Sequence, residues 1–180
     1  HLGVRRQRQM CIRDRTTKMA ETLQVSDMLP NKFEPKRKFR WVFAIEGLDS
    51  FLMKTAARPN ITIAEQEVPF MNSTRYMAGK AKFEAISVTL YDPIAPSGAQ
   101  QVMEWVRTHF ESVSGRAGYA DFYKRDCQLK LLDPVGTVVE LWDLKGCFLT
   151  NATFGDLDYG AEDMTEISLS IRFDNCVLQF

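Results

Sequence analysis

Ile167, Leu169, Ile171 and Phe173 alternate with Ser168, Ser170 and Arg172, a two-residue period that suits a strand with one buried face. The same rhythm recurs at Phe39, Trp41, Phe43 and Ile45, at Ile86, Val88 and Leu90, and at Cys127, Leu129 and Leu131. Asp133-Pro134-Val135-Gly136 sets Pro second and Gly fourth, as a type I turn wants, so a hairpin is expected to return through Val138 to Trp142 and run past Gly146 to Thr150. A further strand is predicted from about Phe51 to Ala57, stopped near Arg58-Pro59. Ile61 to Val68 reads as extended, and Pro69 to Gly79 as the far end of a long hairpin. Helical spacing is convincing only after Pro96. There Ser97 lies three residues before Gln100, a capping-box spacing, and Val102, Trp105, Val106, His109, Phe110 and Val113 share one face, with Gly115 and Gly118 ending the helix and its tail. About seven strands and one helix predict a mainly β fold: an antiparallel two-sheet sandwich or open barrel with one flanking α-helix, spanning residues 39–180 as one domain. An extended N-terminal arm, 19–38, precedes it.

Charge divides the chain unevenly. Lys plus Arg and Asp plus Glu number 23 each, but residues 1–18 hold six of the basic residues and only one acid, Asp14. The remainder therefore has 17 basic and 22 acidic residues, a formal charge of −5. The leader could be a nucleic-acid arm, a targeting peptide or foreign sequence. Met10–Arg15 reads MCIRDR, the translation in one frame of a transposon-end adapter used in sequencing libraries, so residues 1–18 are expected to be non-native and Met19 the natural start. Apolar runs of about five residues, such as Trp41 to Ile45, fall far short of the roughly twenty that cross a bilayer, so no membrane partner is expected.

Catalytic and ligand-binding patterns are sparse. Beyond the leader the single histidine, His109, lies on the apolar helix face and reads as a core or interface residue rather than a base. Gly79-Lys80 lacks the preceding glycine and following hydroxyl of a phosphate loop, those places holding Thr74 and Ala81. Asp156, Asp158, Glu162, Asp163 and Glu166 form an acidic loop whose glycine falls at the wrong place for an EF-hand. Glu65 and Glu67 share a strand face, where lysine partners are expected rather than acid-base work. Cys127, Cys147 and Cys176 show no C-x-x-C spacing and read as small buried hydrophobes. No cofactor or metal is implied, and the chain is not expected to be an enzyme.

The order of segments resembles the tail tube protein of contractile-tailed, T-even-type bacteriophages over most of 39–180. The stretches that carry it are FRWVFAIEGLDSFLMKTAARP, EVPFMNSTRYMAGKAKFEAISVTLYDP, AQQVMEWV, LKLLDPVGTVVELWDLKGCFLT and ISLSIRFDN. The resemblance implies a protomer that closes into hexameric rings, stacked as the tube inside a contractile sheath. Its partners would be itself, the sheath, the baseplate and the tail terminator. Double-stranded DNA would pass without specific binding, and the protein would be assembled in the host cytoplasm and end in the virion tail. It further implies that the arm from Arg58 to Lys82 reaches neighbouring subunits. An aromatic, apolar arm left in water invites pairing, so Val68, Phe70, Tyr76 and Met77 are expected at the inter-subunit contact, with Asn72 there as well and Arg58, Glu65, Glu67, Arg75, Lys80 and Lys82 fixing register. An acidic lumen would let DNA slide, and Asp156, Asp158, Glu162 and Asp163 are the lumen candidates. Other readings are the tube of a type VI secretion or phage-derived injection system, which passes protein, and a tube-initiating baseplate protein. From a different class comes a carbohydrate- or receptor-binding sandwich using Trp41, Trp105 and Trp142, though their positions favour the core.

Overall fold

The structure, a computed structural model, describes residues 33–179. The chain divides into two units, 1–35 and 36–180. Of the first, only 33–35 are described, exposed and without regular structure; the leader and most of the 19–38 arm lie outside the described residues.

The second unit contains nine strands and two helices: β1 (Trp41–Ile45), β2 (Met53–Ala56), β3 (Ile61–Phe70), β4 (Ser73–Phe83), β5 (Ile86–Tyr91), α1 (Gly98–His109), α2 (Ala120–Tyr123), β6 (Arg125–Leu132), β7 (Val138–Thr153), β8 (Glu166–Arg172) and β9 (Asn175–Gln179). Seven strands join in one antiparallel sheet, β1-β6-β7-β8-β5-β2 with β9 also on β7, while β3 and β4 pair only with each other. The sixteen-residue β7 belongs to both halves of the sandwich. Leu141 to Lys145 pair with β9, and Phe148 to Thr153 with β8. The bend between them is Gly146, at φ +67, where a Cβ would strike the Asp174 carboxylate. Its N–H donates to Asp126 Oδ1 at 3.3 Å, and the Asp174 N–H donates to the Lys145 carbonyl at 3.0 Å. β7 and the β8–β9 pair thus turn together and carry the chain from one half-sheet to the other, as sheet-switching strands do at sandwich corners. Among the described residues β1 and β2 do not pair, so the sandwich stays open on that side.

Alternation decides which side chains fill the space between. Phe43 and Ile45, Ile86, Val88 and Leu90, Cys127, Leu129 and Leu131, and Ile167, Leu169 and Ile171 are all buried, each apolar side chain contributing about 1.5–3 kcal/mol of transfer free energy before conformational entropy is counted. Helix α1 closes one side with Val102 and Trp105. Ser97 caps it, its side chain accepting from the Gln100 N–H. The Trp105 indole N–H donates to the Tyr123 carbonyl at 2.8 Å, and the Arg125 guanidinium lies 5.1 Å above the ring, which joins α1, α2 and β6.

Several expectations need correction. The apolar helix face was read through Val113, but α1 stops at His109, because Phe110 turns extended and bridges Ala117 while the Gly118 N–H donates to the His109 carbonyl. Only a glycine lets that return strand lie against the Thr108 carbonyl. Val113 is consequently exposed, and so is His109, whose ring edge meets Tyr123 at 4.4 Å rather than entering the core. Phe51 sits in a 3-10 turn, Ser50–Leu52, with Leu52 the buried member, so the second strand starts only at Met53. Trp105 is core; Trp41 and Trp142 are half-buried against it.

Candidate assembly surface

The β3–β4 hairpin stands apart from the core. Its strands have ten and eleven residues, and nearly every one is exposed. Both strands are sheet edges, so each leaves an outward row of backbone donors and acceptors unpaired. Its root is fixed by Phe83 packed against Phe173 with ring centroids 5.4 Å apart, by the Glu84 N–H donating to the Asn60 carbonyl and by Thr62 Oγ1 donating to Glu84 Oε1 at 2.6 Å.

Strand register sorts the predicted arm residues into two faces. Glu65 opposes Ala78, Glu67 opposes Tyr76 and Pro69 opposes Thr74, forming one face with Ile61 and Ile63. Val68 opposes Arg75, Gln66 opposes Met77 and Phe70 opposes Ser73, forming the other, which Lys82 shares at the root opposite Thr62. One extra residue of β4 is accommodated between these regions: Gly79 and Lys80 lie opposite Ala64, and a Cβ on Gly79 would meet the Ala64 carbonyl at 2.8 Å. Without that bulge Ala81 and Phe83 would swing to the opposite face and the root would lose its anchor. The tip is Met71-Asn72, with Met71 at φ +51, a left-handed conformation uncommon outside glycine and asparagine. Glu65 and Glu67 do share a face, but their cross-strand neighbours are Ala78 and Tyr76, not lysines.

Arg58 is not on the hairpin. It precedes β3, and its guanidinium lies 3.6 Å from Glu140 Oε2, which also accepts from Lys36 while Glu140 Oε1 accepts from Trp142 Nε1. Burial alone would raise the Glu140 pKa, but the hydrogen bonds from Lys36 and Trp142 and the nearby Arg58 hold it below the ordinary value. Asp156, Asp158, Glu162 and Asp163 occupy the loop between β7 and β8, at the end of the second half-sheet opposite the hairpin root, since Tyr91 pairs with Glu166 there and Ile86 with Ile171 near the root. Asp156 and Asp163 come together on a groove of about 440 Å³ with Lys54, Tyr91 and Glu166. Lys54 is hydrogen-bonded to Glu166, which raises its pKa. The structure therefore brings the arm residues other than Arg58 together on the hairpin and the four acids together on one loop at the other end of that half-sheet.

Three surfaces escaped the sequence reading. Ile61, Ile63 and Met71 add to the hairpin's exposed apolar side chains; the alternation of Ile61 and Ile63 carried that signal. A second exposed cluster, Phe110, Val113, Tyr119 and Phe122, follows from the early end of α1. A third lies in the open side of the sandwich, a cleft of about 600 Å³ rimmed by Lys36, Arg37 and Lys38, which are consecutive in sequence. Among the described residues no histidine, cysteine and carboxylate group could hold a metal, and no helix is long and apolar enough to cross a membrane.

Neither a protein-family model nor a curated protein sequence matches the chain. Solved structures match its fold. A chain of the sheath/tube terminator of an extracellular contractile injection system, PVC, superposes with TM-score 0.68 at 15% identity, covering 83% of this chain and 99% of that one. A chain of the PVC sheath-tube complex gives TM-score 0.65 at 14% identity over 87% and 98%. The tube-terminating cap of the anti-feeding prophage gives 0.66 at 16% over 82% and 92%. Residues 36–179 have the fold found in these contractile-tail tube assemblies.

Proposed function

We propose that this chain is a structural subunit of a contractile tail. Copies join side by side into rings through the β3–β4 hairpin, and rings stack into the inner tube of a virion, through which DNA passes. The observation that carries this reading is the hairpin itself: a two-stranded sheet with both edges open and Tyr76, Phe70, Val68 and Met77 exposed. Such a ribbon is marginal alone and becomes stable when a neighbouring copy covers it. The fold likeness supports the tube-like role. The count of six copies per ring and the DNA cargo rest on the sequence resemblance to phage tube proteins, with the net acidic charge of residues 19–180 favouring a conduit to which DNA does not adhere. A second reading, the tube of an injection system that passes protein, draws on the extracellular contractile injection systems that contain the structural neighbours. Arg58 acts in this reading at the hairpin's root rather than along it.

Negative-stain electron microscopy of the concentrated protein tests the proposal. Rings or hollow tubes of uniform width are expected, with hairpin residues of one copy cross-linking to another. A chain that sediments as a monomer at every concentration and forms no such cross-links refutes it. Filter binding of duplex DNA to assembled tubes then tests the conduit, where salt-sensitive adhesion would argue for the protein-passing alternative.

A further inference from the structure

On the open side of the sandwich, where among the described residues β1 and β2 do not pair, side chains span the gap in place of a ladder. Glu140 opposes Leu131 across β6 and β7, so its carboxylate lies on the inner face, and it is buried. Its Oε2 accepts from Lys36, in the segment that leads into β1, and stands 3.6 Å from the Arg58 guanidinium, just after β2. Its Oε1 accepts from the Trp142 indole. One oxygen thus serves a cation from each side of the gap. The two are unequally held: Lys36 is hydrogen-bonded, whereas Arg58 stays beyond the roughly 2.7–2.9 Å of a charge-assisted hydrogen bond. Two cations on one oxygen repel each other, and Arg37 and Lys38 add positive charge to the same cleft. A buried carboxylate must nevertheless keep a cation. When Lys36 leaves, Arg58 is the replacement already in place, free to close to full contact.

Arg58 belongs to the short neck from which the hairpin leaves. The Ala57 N–H donates to the Ser87 carbonyl at 2.9 Å, Pro59 fixes one backbone angle, and the Asn60 carbonyl accepts from the Glu84 N–H at 3.1 Å. A tighter Arg58 pins that neck. We infer that Lys36 and Arg58 compete for Glu140, so that drawing the segment 36–38 away from the body tightens the neck of the hairpin. Lys36 is then a positioning residue, acting on the hairpin through Glu140 and Arg58. The inference rests on the reading of the hairpin as the joint between copies and deepens it: a neck held in one direction loses less freedom when a second copy covers the ribbon, which favours assembly.

Amide hydrogen exchange of the full chain, kept dilute so that it stays unassembled, tests the coupling. Lys36→Met removes one competitor and should slow exchange at Ala57 and Glu84 about fivefold, the size that a partly exposed ion pair supports. The amides of Val88 and Leu169 in the core strands should keep their rates, which separates this effect from a change in global stability. Lys36→Arg should exchange as the wild type does, and Lys36→Met combined with Arg58→Met should abolish the slowing. Neck exchange that is unchanged or faster in Lys36→Met, or slowing that persists without Arg58, overturns the inference. Sedimentation of the concentrated chain then tests its link to assembly: Lys36→Met should lower the critical concentration, and a slowed neck with an unchanged critical concentration overturns that link. An unslowed neck in a chain that assembles overturns the coupling and leaves the subunit reading standing. A slowed neck in a chain that never assembles keeps the coupling and overturns the subunit reading.

Discussion

Replacing Tyr76 with aspartate separates a contact surface from a merely exposed strand. Tyr76 is 65% exposed in the free subunit. A tyrosine buries roughly 150–250 Å², so covering the exposed part removes about 130 Å², worth about 3 kcal/mol per joint at ~25 cal/mol per Å². At ~1.4 kcal/mol per factor of ten, losing it raises the critical concentration for assembly by about two orders of magnitude. The new carboxylate also stands opposite Glu67 and on the face of Glu65, where like charges across strands cost up to about 1 kcal/mol. That smaller term falls on the free subunit, lowering its melting temperature by no more than about 4 °C for a chain of this size. Sedimentation velocity over a concentration series measures the first effect and calorimetry the second. Tyr76→Phe, which keeps the area, should assemble as the wild type does. An aspartate variant that assembles at the wild-type critical concentration refutes the hairpin as the joint.

Other consequences concern the fold. Gly146→Ala places a Cβ at φ +67 and against Asp174, so it should cost more than the about 1–2 kcal/mol of a left-handed alanine alone. Gly115→Ala, at φ +70 with open space around it, should cost only that, and equal urea midpoints for the two variants would show that the bend at Gly146 is not tightly packed. Trp105→Phe removes the bond to the Tyr123 carbonyl and should lower stability by about 1–3 kcal/mol, read by urea titration. The depressed Glu140 pKa implies stability that is full above the ordinary value of 4.5 and lost as pH falls through the lower folded-state value; Glu140→Gln should flatten that acid limb in urea midpoints measured from pH 6 to 3. Hydrogen exchange should be fast along 61–83 in the free subunit and slow in assemblies, and equal rates would place the hairpin outside the contact.

Much of the body was legible because a strand with one buried face writes its period directly into sequence, as Ile86, Val88 and Leu90 do. The Asp133 turn was legible for a local reason too: its Oδ1 accepts from the N–H groups of Val135 and Thr137, both at 2.8 Å. The end of α1 was not, since apolar spacing continues to Val113 and only the tertiary fit of Gly118 under the Thr108 carbonyl stops the helix. β9 was missed because Cys176, Val177 and Leu178 are consecutive apolar residues without alternation, placed by pairing with β7. The long hairpin was legible in the turn-forming residues Asn72, Ser73 and Gly79, whereas its reading as an arm to neighbouring subunits came from the resemblance to phage tube proteins. The basic cleft was invisible in another way: Lys36-Arg37-Lys38 is a plain charge run until β1, β2 and β6 set Trp41, Leu129 and Leu131 beneath it.

An exposed ribbon of this length invites pairing with any available edge, yet the hairpin carries devices that restrict its partners. Pro69 opposes Thr74 one step from the turn-closing pair Phe70 and Ser73, so by the alternation of an antiparallel ladder its missing N–H faces the outer edge and leaves one donor fewer there. Glu65, Glu67, Arg75, Lys80 and Lys82 set charges of both signs among the apolar side chains. A partner must therefore match a charge pattern as well as offer an apolar face, and mismatched charges oppose misregistered pairing. The Gly79 bulge adds a geometric condition, because only the bulged register keeps Phe83 on Phe173 while Tyr76 and Glu67 stay on one outward face. Core and ribbon are thus specified by different means: the sandwich by burying the alternate residues of its strands, the ribbon by a bulge, a proline and charges of both signs set among exposed apolar side chains.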